Sequence, residues 1–174
     1  MSIDVQYLPE RSLRKARCMA IKSPFTGRVK SMAEHPEPFF RYATVGPGIC
    51  VELTSHNIIA PFDGTLLQVK NAGKEYILQA KNGLKILLNL SFSSIEEHIS
   101  HTNIAKLNGS KISQGERLAY FDLRELSSPM LGTVCVLNSH NLGPLYYSLS
   151  QVIAGVDTLP VSYTHLTLPT IYSV

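Results

Sequence analysis

The sequence lacks a long hydrophobic run, a secretory signal and a basic stripe, and each absence excludes a class of protein. No run of about 18 or more apolar residues occurs, so we expect neither a transmembrane helix nor stable membrane insertion. The N-terminus has no apolar segment of the kind that secretory signals carry. The net charge is only +3, and no stripe of Lys and Arg is interleaved with aromatic residues, so the sequence predicts no nucleic-acid partner.

Cysteine is scarce as well. The three cysteines, Cys18, Cys50 and Cys135, are odd in number and lie among apolar neighbours. Because disulfides are rare in the reducing cytoplasm, this pattern predicts buried, reduced thiols in a cytoplasmic protein.

The composition is that of one globular domain. The chain has 174 residues, of which 44% are hydrophobic and 17% charged, which is enough to bury a core. We predict a domain over 18–160, preceded by a flexible arm over 1–17 whose cations are Arg11, Arg14, Lys15 and Arg17. A second interpretation of this arm is weak attachment to an anionic membrane surface. Residues 161–174 (VSYTHLTLPTIYSV) resemble a translated sequencing adapter, so we expect a non-native tail there.

The stretch from Ala60 to Phe92 predicts three apolar strands. Polar breaks at Lys70–Glu75 and Lys81–Gly83 separate them. Strands of this kind can lie side by side at the centre of a sandwich. We therefore expect a site near Lys74 and Asn89, where the ends of two strands can meet.

Three similar corners indicate the fold class. Each places Pro early in a tight turn and Gly shortly before a strand; they are SPFTGRV (23–29), APFDGTL (60–66) and SPMLGTV (128–134). The pattern predicts an all-β protein, an antiparallel β-sandwich or barrel-sandwich, with one or two short helical turns. The candidate turns are Asp122–Leu126 and Leu145–Val152.

The six histidines do not form a recognisable catalytic or metal motif. His98-x-x-His101 has two imidazoles, whereas zinc needs three or four ligands and no other ligand stands out nearby, so we predict no metal site. His35 precedes Pro36 and is expected on an exposed loop. The sequence has no Walker-type phosphate loop and no Gly-x-Ser-x-Gly elbow, and we expect no cofactor.

Taken together, the motifs resemble those of one family. They are Ser23-Pro24-x-x-Gly27, PEPFFR (36–41), Val45-Gly46-Pro47-Gly48, Ala60-Pro61-Phe62-Asp63-Gly64, Gly83-Leu84-Lys85-Ile86, Gly115-Glu116 and Phe121-Asp122-Leu123. In this order and spacing, from about Ala20 to Pro160, the chain resembles the glucose-type IIA component of the bacterial phosphoenolpyruvate-dependent sugar phosphotransferase system. The resemblance implies an antiparallel β-sandwich.

The resemblance also implies a chemistry. Family members accept a phosphoryl group from the carrier HPr on one histidine and pass it to the IIB domain of a sugar transporter, while a second histidine assists. A neutral imidazole nitrogen is nucleophilic near pH 7, and the partner imidazole can donate a hydrogen bond to the phosphoryl oxygens.

This sequence departs from the family pattern at both histidines. The acceptor position is Asn89, and the assisting position is Lys74, two residues after Ala72 where the family usually has threonine. Ser91–Ser94 replaces an acidic residue of the family. Because an amide does not accept a phosphoryl group under these conditions, we predict a partner-binding or regulatory domain. Whether the chain acts as an enzyme stays open at this stage.

The family's docking surface is partly kept. By the same resemblance, an HPr-like carrier and a IIB domain, or a regulated transporter or enzyme, would contact Phe39, Phe40, Val45, Lys70, Leu87 and Ile95. One alternative is an active phosphocarrier that uses His98 or His101 instead. Another is a biotinyl or lipoyl carrier modified at Lys74, which lies in a predicted hairpin, although no methionine flanks this lysine.

Overall fold

The structure is a computed structural model that describes residues 5–7, 18–92, 102–138, 142–147 and 150–163. Side chains are described over 21–92, 102–138 and 150–159. These residues form β1 (Val5–Tyr7), β2 (Cys18–Lys22), β3 (Gly27–Lys30), α1 (Pro38–Arg41), β4 (Gly48–Leu53), β5 (Asn57–Ile59), β6 (Gly64–Lys70), β7 (Glu75–Ala80), β8 (Lys85–Phe92), β9 (Thr102–Ile104), β10 (Lys111–Ile112), β11 (Arg117–Phe121), β12 (Met130–Val136), β13 (Leu142–Tyr147), β14 (Gln151–Val152) and β15 (Thr158–Tyr163).

Most strands pair antiparallel in three sheets. The largest has eight strands in the order β10-β6-β7-β8-β12-β4-β3-β14, and the smaller ones are β1-β13-β15-β2 and β5-β11-β9. Only β1 and β13 pair parallel within the described residues. The prediction of an all-β fold is confirmed, and the stretch 60–92 forms consecutive antiparallel strands β6, β7 and β8.

Alternation along the central strands creates two different sheet faces. On β7, Tyr76 and Leu78 are buried while Glu75, Ile77 and Gln79 are half-buried, as the period of two of a strand requires. The inward face contributes to the main core, whose largest members include Phe25, Leu66, Ile86, Leu88, Leu118, Phe121 and Met130.

The outward face carries a second, smaller cluster. Met32, Phe40, Cys50, Leu87 and Cys135 are buried together there. Two of them come from the segment 31–45, which crosses this face as a 3₁₀ turn (Met32–Glu34) followed by α1. This segment brings Glu37 and His35 over the centre of the sheet.

One corner shows why its glycine is needed. A Cβ on Gly132 of β12 would lie 2.8 Å from Cγ and Cδ2 of Phe25 and 2.9 Å from Cδ2 of Leu53, which is closer than Cβ contacts allow. Phe25 belongs to the first of the three corners, so the glycine of the third lets the two corners pack together.

Two features lie at the ends of the predicted domain. β1 comes from the predicted N-terminal arm, and β15 crosses the predicted boundary at residue 160 by pairing Pro160 and Val161 with Ala20 and Met19. The division into arm, domain and tail stays a prediction. No helix among the described residues is long and apolar enough to cross a membrane.

One of the two predicted helical turns is correct. Leu123–Glu125 forms a 3₁₀ turn capped by Asp122, whose side chain accepts a hydrogen bond from the Arg124 amide. The predicted helix over Leu145–Val152 is wrong, because this region contributes to β13 and β14. The backbone of β13 pairs with both β1 and β15, and its two tyrosines are residues that strands favour.

We expect Tyr76→Phe to raise the free energy of unfolding by about 1–3 kcal/mol, measured by urea denaturation. The Tyr76 hydroxyl is fully buried and finds no hydrogen-bond partner among the described residues, and burial also raises its pKa. Removing the hydroxyl leaves the packing of the ring in place. Tyr42→Phe, on an exposed ring, is the matched control and should change little. A destabilised Tyr76→Phe protein would show that the hydroxyl has a partner.

Candidate functional site

The predicted acceptor position lies in a row of polar side chains across the outward face of the large sheet. Its members oppose one another on six neighbouring strands: Lys70, Glu75, Asn89, Thr133, Cys50 and Lys30. Residues directly opposed in antiparallel strands point to the same face, so the register brings these side chains together.

Asn89 is buried and engaged on both sides of its amide. Only 4% of it is exposed, and its Nδ2 lies 3.4 Å from Oε1 of Glu75. Its Oδ1 lies 2.6 Å from the Ser91 hydroxyl, which is also 2.8 Å from Oε1 of Glu37. Because a serine hydroxyl has one proton, it serves one of these two acceptors at a time. The acceptor position is thus enclosed between two carboxylates.

Lys74 adjoins Asn89 through the backbone. The Leu90 amide donates to the Lys74 carbonyl at 2.8 Å, so the two predicted site positions are neighbours. The Lys74 ammonium lies 4.9 Å from the centre of the Phe92 ring, a cation–π contact that draws it along β8. The turn before it has left-handed φ at Asn71 (51°), Ala72 (54°) and Gly73 (85°), which is unusual for the first two residues.

His35 is buried, so the prediction of an exposed loop histidine is wrong. Pro36 and Pro38 do keep the chain out of the sheet, but they direct it across the outward face, where only 1% of His35 is exposed. Its Nδ1 accepts from the Glu37 amide at 3.0 Å, and its Nε2 lies 3.0 Å from Oγ1 of Thr133. An Nδ1 that accepts leaves the proton on Nε2, so the ring is neutral and donates to Thr133.

Burial is the largest influence on the titration of this histidine. Desolvation lowers the pKa of His35 from its ordinary value of 6.5, while Glu37 raises the pKa and Arg41 lowers it. The thiols beside it are also desolvated: burial raises the pKa of Cys50 to about 11 and that of Cys135 to about 12. These two cysteines are free, as predicted, and they are protonated rather than nucleophilic at neutral pH.

The structure divides the predicted docking residues by exposure. Phe39 is 56% exposed, Val45 is half-buried and Lys70 is exposed, whereas Phe40 and Leu87 belong to the buried cluster and offer little surface. Ile95, His98 and His101 lie outside the described residues.

Three members of this site were not identified from the sequence as site residues: Glu37, Glu75 and Thr133. The motif PEPFFR contains Glu37, and Glu75 follows Lys74 directly, but only the register and the path of 31–45 place them beside Asn89. Neither glutamate forms an ion pair with another described residue. The Arg41 guanidinium donates instead to the carbonyls of His35 and Pro36, at 2.9 and 2.7 Å.

The described side chains of this site provide neither a free imidazole nor a metal centre. Among the residues with described side chains, His35 is the histidine of this cluster, and both of its nitrogens are occupied. In the same residues, no three of His, Cys, Asp and Glu are grouped so that they could hold a metal ion.

Comparisons with known proteins agree with this fold. The family model of the phosphoenolpyruvate-dependent sugar phosphotransferase system, EIIA 1, matches residues 19–142. The solved glucose permease IIA from Mycoplasma capricolum covers 83% of this chain and 96% of its own, with a TM-score of 0.70 and 17% identity. This likeness shows the β-sandwich fold.

Two curated relatives show how much of a whole protein the chain represents. The glucose-specific EIIA component of Bacillus cereus is 26% identical over 122 residues, which are 68% of this chain and 74% of that protein. The glucose-specific EIIBCA component of Corynebacterium glutamicum is 25% identical over 136 residues, 76% of this chain but only 20% of that protein. The chain thus spans about a fifth of the length of this multidomain relative. Since the family model matches most of the chain, the chain belongs to the EIIA 1 family of the phosphoenolpyruvate-dependent sugar phosphotransferase system, as a glucose-type EIIA domain.

Proposed function

We propose that this domain binds partners within a sugar phosphotransferase system without carrying a phosphoryl group at the family's acceptor position. The observation that carries the proposal is the state of Asn89, which is buried and held by Ser91 and Glu75. Its amide has no nucleophilic nitrogen of the imidazole kind. The hydrogen bonds to Ser91 and Glu75 give this amide a structural role.

The charges near Asn89 also oppose phosphorylation. A phosphoryl group at this position would lie beside the carboxylates of Glu37 and Glu75, and negative charges this close repel one another. Lys74 could offset part of this charge, but its ammonium lies over the Phe92 ring. The two carboxylates therefore make the centre of the site more favourable for a cation than for a phosphoryl group.

The surface around the two glutamates has the features of a docking site. Phe39 and Tyr42 are exposed aromatic residues, 56% and 73% exposed, on the segment that also carries Glu37. Aromatic side chains contribute much of the binding energy at protein interfaces, and carboxylates that form no ion pair with the described residues suit a basic partner side chain. We infer a protein partner with an exposed Arg or Lys that contacts Glu37 or Glu75.

The names of two relatives support a partner within the same transport system. The names EIIBCA and EIICBA describe chains in which an EIIA part is joined to B and C parts. We propose that this chain docks to a IIB domain or to an HPr-like carrier, with Phe39, Val45 and Lys70 in the contact. A regulated transporter or enzyme is the alternative partner at the same surface.

The full chain, incubated with labelled phosphoenolpyruvate, enzyme I and HPr, is expected to acquire no label. Absence of label counts only if the circular dichroism spectrum shows a β-fold and a glucose-type IIA with both histidines is labelled in the same mixture. Label that is lost in acid and kept in alkali would identify phosphohistidine at another position, and the domain would then be a phosphocarrier instead of a domain that only binds partners. Substituting His98 and His101 by Gln would then show whether the alternative phosphocarrier is correct.

The same preparation tests partner binding. Titration with HPr and with a IIB domain should give saturable binding to at least one of them, weakened about tenfold or more by Phe39→Ala. Binding to neither protein would leave a regulated transporter or enzyme as the partner class. Binding unchanged by Phe39→Ala would contradict the docking surface.

A further inference from the structure

A groove lies at the opposite end of β6 and β7 from the acceptor position. Its volume is about 520 Å³, within the range of small-molecule sites. The first residues of β6, the last residues of β7 and the short strand β10 form its walls, and the buried side chains of Ala80 and Ile112 give it an apolar part. From Glu75 to Gln79 the distance along β7 is roughly 13 Å, so the groove is separate from the Asn89 site.

Two lysines from different strands line the groove. Lys111 is on β10 and Lys81 directly follows β7, so they border it from either side of β6. Lys111 forms no ion pair with a described residue. Lys81 lies 3.9 Å from Oδ2 of Asp63, but both side chains are well exposed, and such a pair contributes little.

Neighbouring groups make this end of the sheet more positive. Register places Lys111 opposite Thr65, Thr65 opposite Gln79, and Gln79 opposite Lys85, so these side chains share the outward face. Asp63 is the acidic residue of the lining, and its Oδ1 already accepts from the Gln114 amide at 2.8 Å. The groove is thus lined by two cationic side chains and one anionic side chain. The anionic one, Asp63, is hydrogen-bonded to the turn at Gln114.

The polar lining is suited to hydroxyl groups. Thr65 and Ser113 offer hydroxyls and Gln79 an amide, which can both donate and accept hydrogen bonds. A free phosphate ion would meet the two lysines but leave most of the volume, and these three side chains, to water. The volume of the groove and its polar lining together favour an anion that is attached to a polyhydroxylated compound.

We propose that this groove binds a small phosphate monoester of a polyhydroxylated compound. Lys81 and Lys111 contact the phosphate, while Thr65, Gln79 and Ser113 hydrogen-bond the hydroxyl groups. Lysine suits this role because its ammonium is a flexible point charge that reaches a phosphate from either wall. The site does not depend on the proposal for Asn89.

Isothermal titration of the full chain with glucose 6-phosphate tests the proposal, with inorganic phosphate and glucose as separate probes. We expect saturable binding of the ester at low ionic strength, weakened about tenfold or more by either Lys81→Gln or Lys111→Gln. Both lysines are exposed, so the variants should fold. Arg28→Gln, which removes the same charge from an exposed position on β3 at the other side of the sheet, should leave the affinity unchanged.

Each probe separates one part of the proposal. Weaker binding of inorganic phosphate and no binding of glucose support recognition of both halves of the ester. The proposal is overturned if glucose 6-phosphate shows no saturable binding, or binds equally to both lysine variants. Equal affinity for inorganic phosphate would overturn the assignment of the polar lining to hydroxyl groups.

Discussion

We expect the triple variant Lys74→His, Glu75→Gln and Asn89→His to accept a phosphoryl group from HPr, and the natural sequence to accept none. The two histidines restore the side chains that the family uses, and they return to adjacent positions because the Leu90 amide bonds to the carbonyl of residue 74. Labelling from phosphoenolpyruvate through enzyme I and HPr measures the result. The label should be labile in acid and stable in alkali.

The third substitution tests the charge at the site. Glu75 Oε1 lies 3.4 Å from the side chain of Asn89, so it would face the incoming phosphoryl oxygens. Repulsion between two unit charges is about 4 kcal/mol at about 4 Å for an effective dielectric constant of about 20, and less where water reaches a half-buried side chain. We therefore expect the double variant Lys74→His and Asn89→His to be labelled at least about tenfold more slowly than the triple variant.

The single variant and the comparison of labelling rates serve as controls for the role of Glu75. The single variant Glu75→Gln should acquire no label, because it lacks a histidine at position 89. Equal labelling rates for the double and triple variants would show that Glu75 does not oppose transfer. A folded triple variant without label would show that other differences in this domain, such as Glu37 or the docking surface, prevent transfer.

Much of the fold could be predicted because local signals agree with long-range packing. The apolar alternation of 60–92 predicts the three strands β6, β7 and β8 that the structure shows. Each of the three Pro-to-Gly corners lies at the beginning of a strand. The proximity of positions 74 and 89 was also predicted, since two hairpin strands in register must bring them together. In these regions propensity, turn chemistry and burial all favour the same structure.

The burial of His35 could not be predicted because its cause is distant in sequence. Its partner Thr133 is 98 residues away, and the proline beside it is typical of exposed loops. Phe40 shows the same limit: the sequence places it at a docking surface, and in the structure it is buried with Leu87 and Cys50 in the outward cluster. For Leu145–Val152, the strand ladder with β15 overrode a weak helical pattern.

The roles of Glu37 and Glu75 illustrate a different limit. A comparison with the family identifies which expected residues are missing, and it does not show what has taken their place. Asn89 could have faced water in a relaxed pocket. Instead, hydrogen bonds to Ser91 and Glu75 place it inside a polar network, which implies that the change at position 89 is accommodated by its neighbours.

Thr133→Val is expected to lower the free energy of unfolding by about 1–3 kcal/mol at pH 7, measured by urea denaturation. Valine keeps the shape of threonine but removes the oxygen that accepts from Nε2 of His35, and this N–H is then buried without a partner. Thr133→Ser keeps the hydroxyl and should cost less. Equal losses for Val and Ser would indicate that packing, rather than the hydrogen bond, is responsible.

The pH dependence of stability distinguishes His35 from a purely structural aromatic side chain. Burial lowers the pKa of His35 in the folded protein, so the unfolded chain binds a proton first as the pH falls. Stability from the neutral ring is therefore fully present above about pH 6.5 and is lost as the pH falls through the lower, folded pKa.

The variant His35→Phe removes this titration. Its free energy of unfolding should therefore fall less between about pH 7 and about pH 5 than that of the natural sequence. The charged neighbours Glu37 and Arg41 remain in both proteins, so the comparison isolates the titration of the imidazole together with their effect on it. An equal loss of stability in His35→Phe would show that other groups cause the acid sensitivity and that the segment 31–45 is not held in place by a neutral histidine.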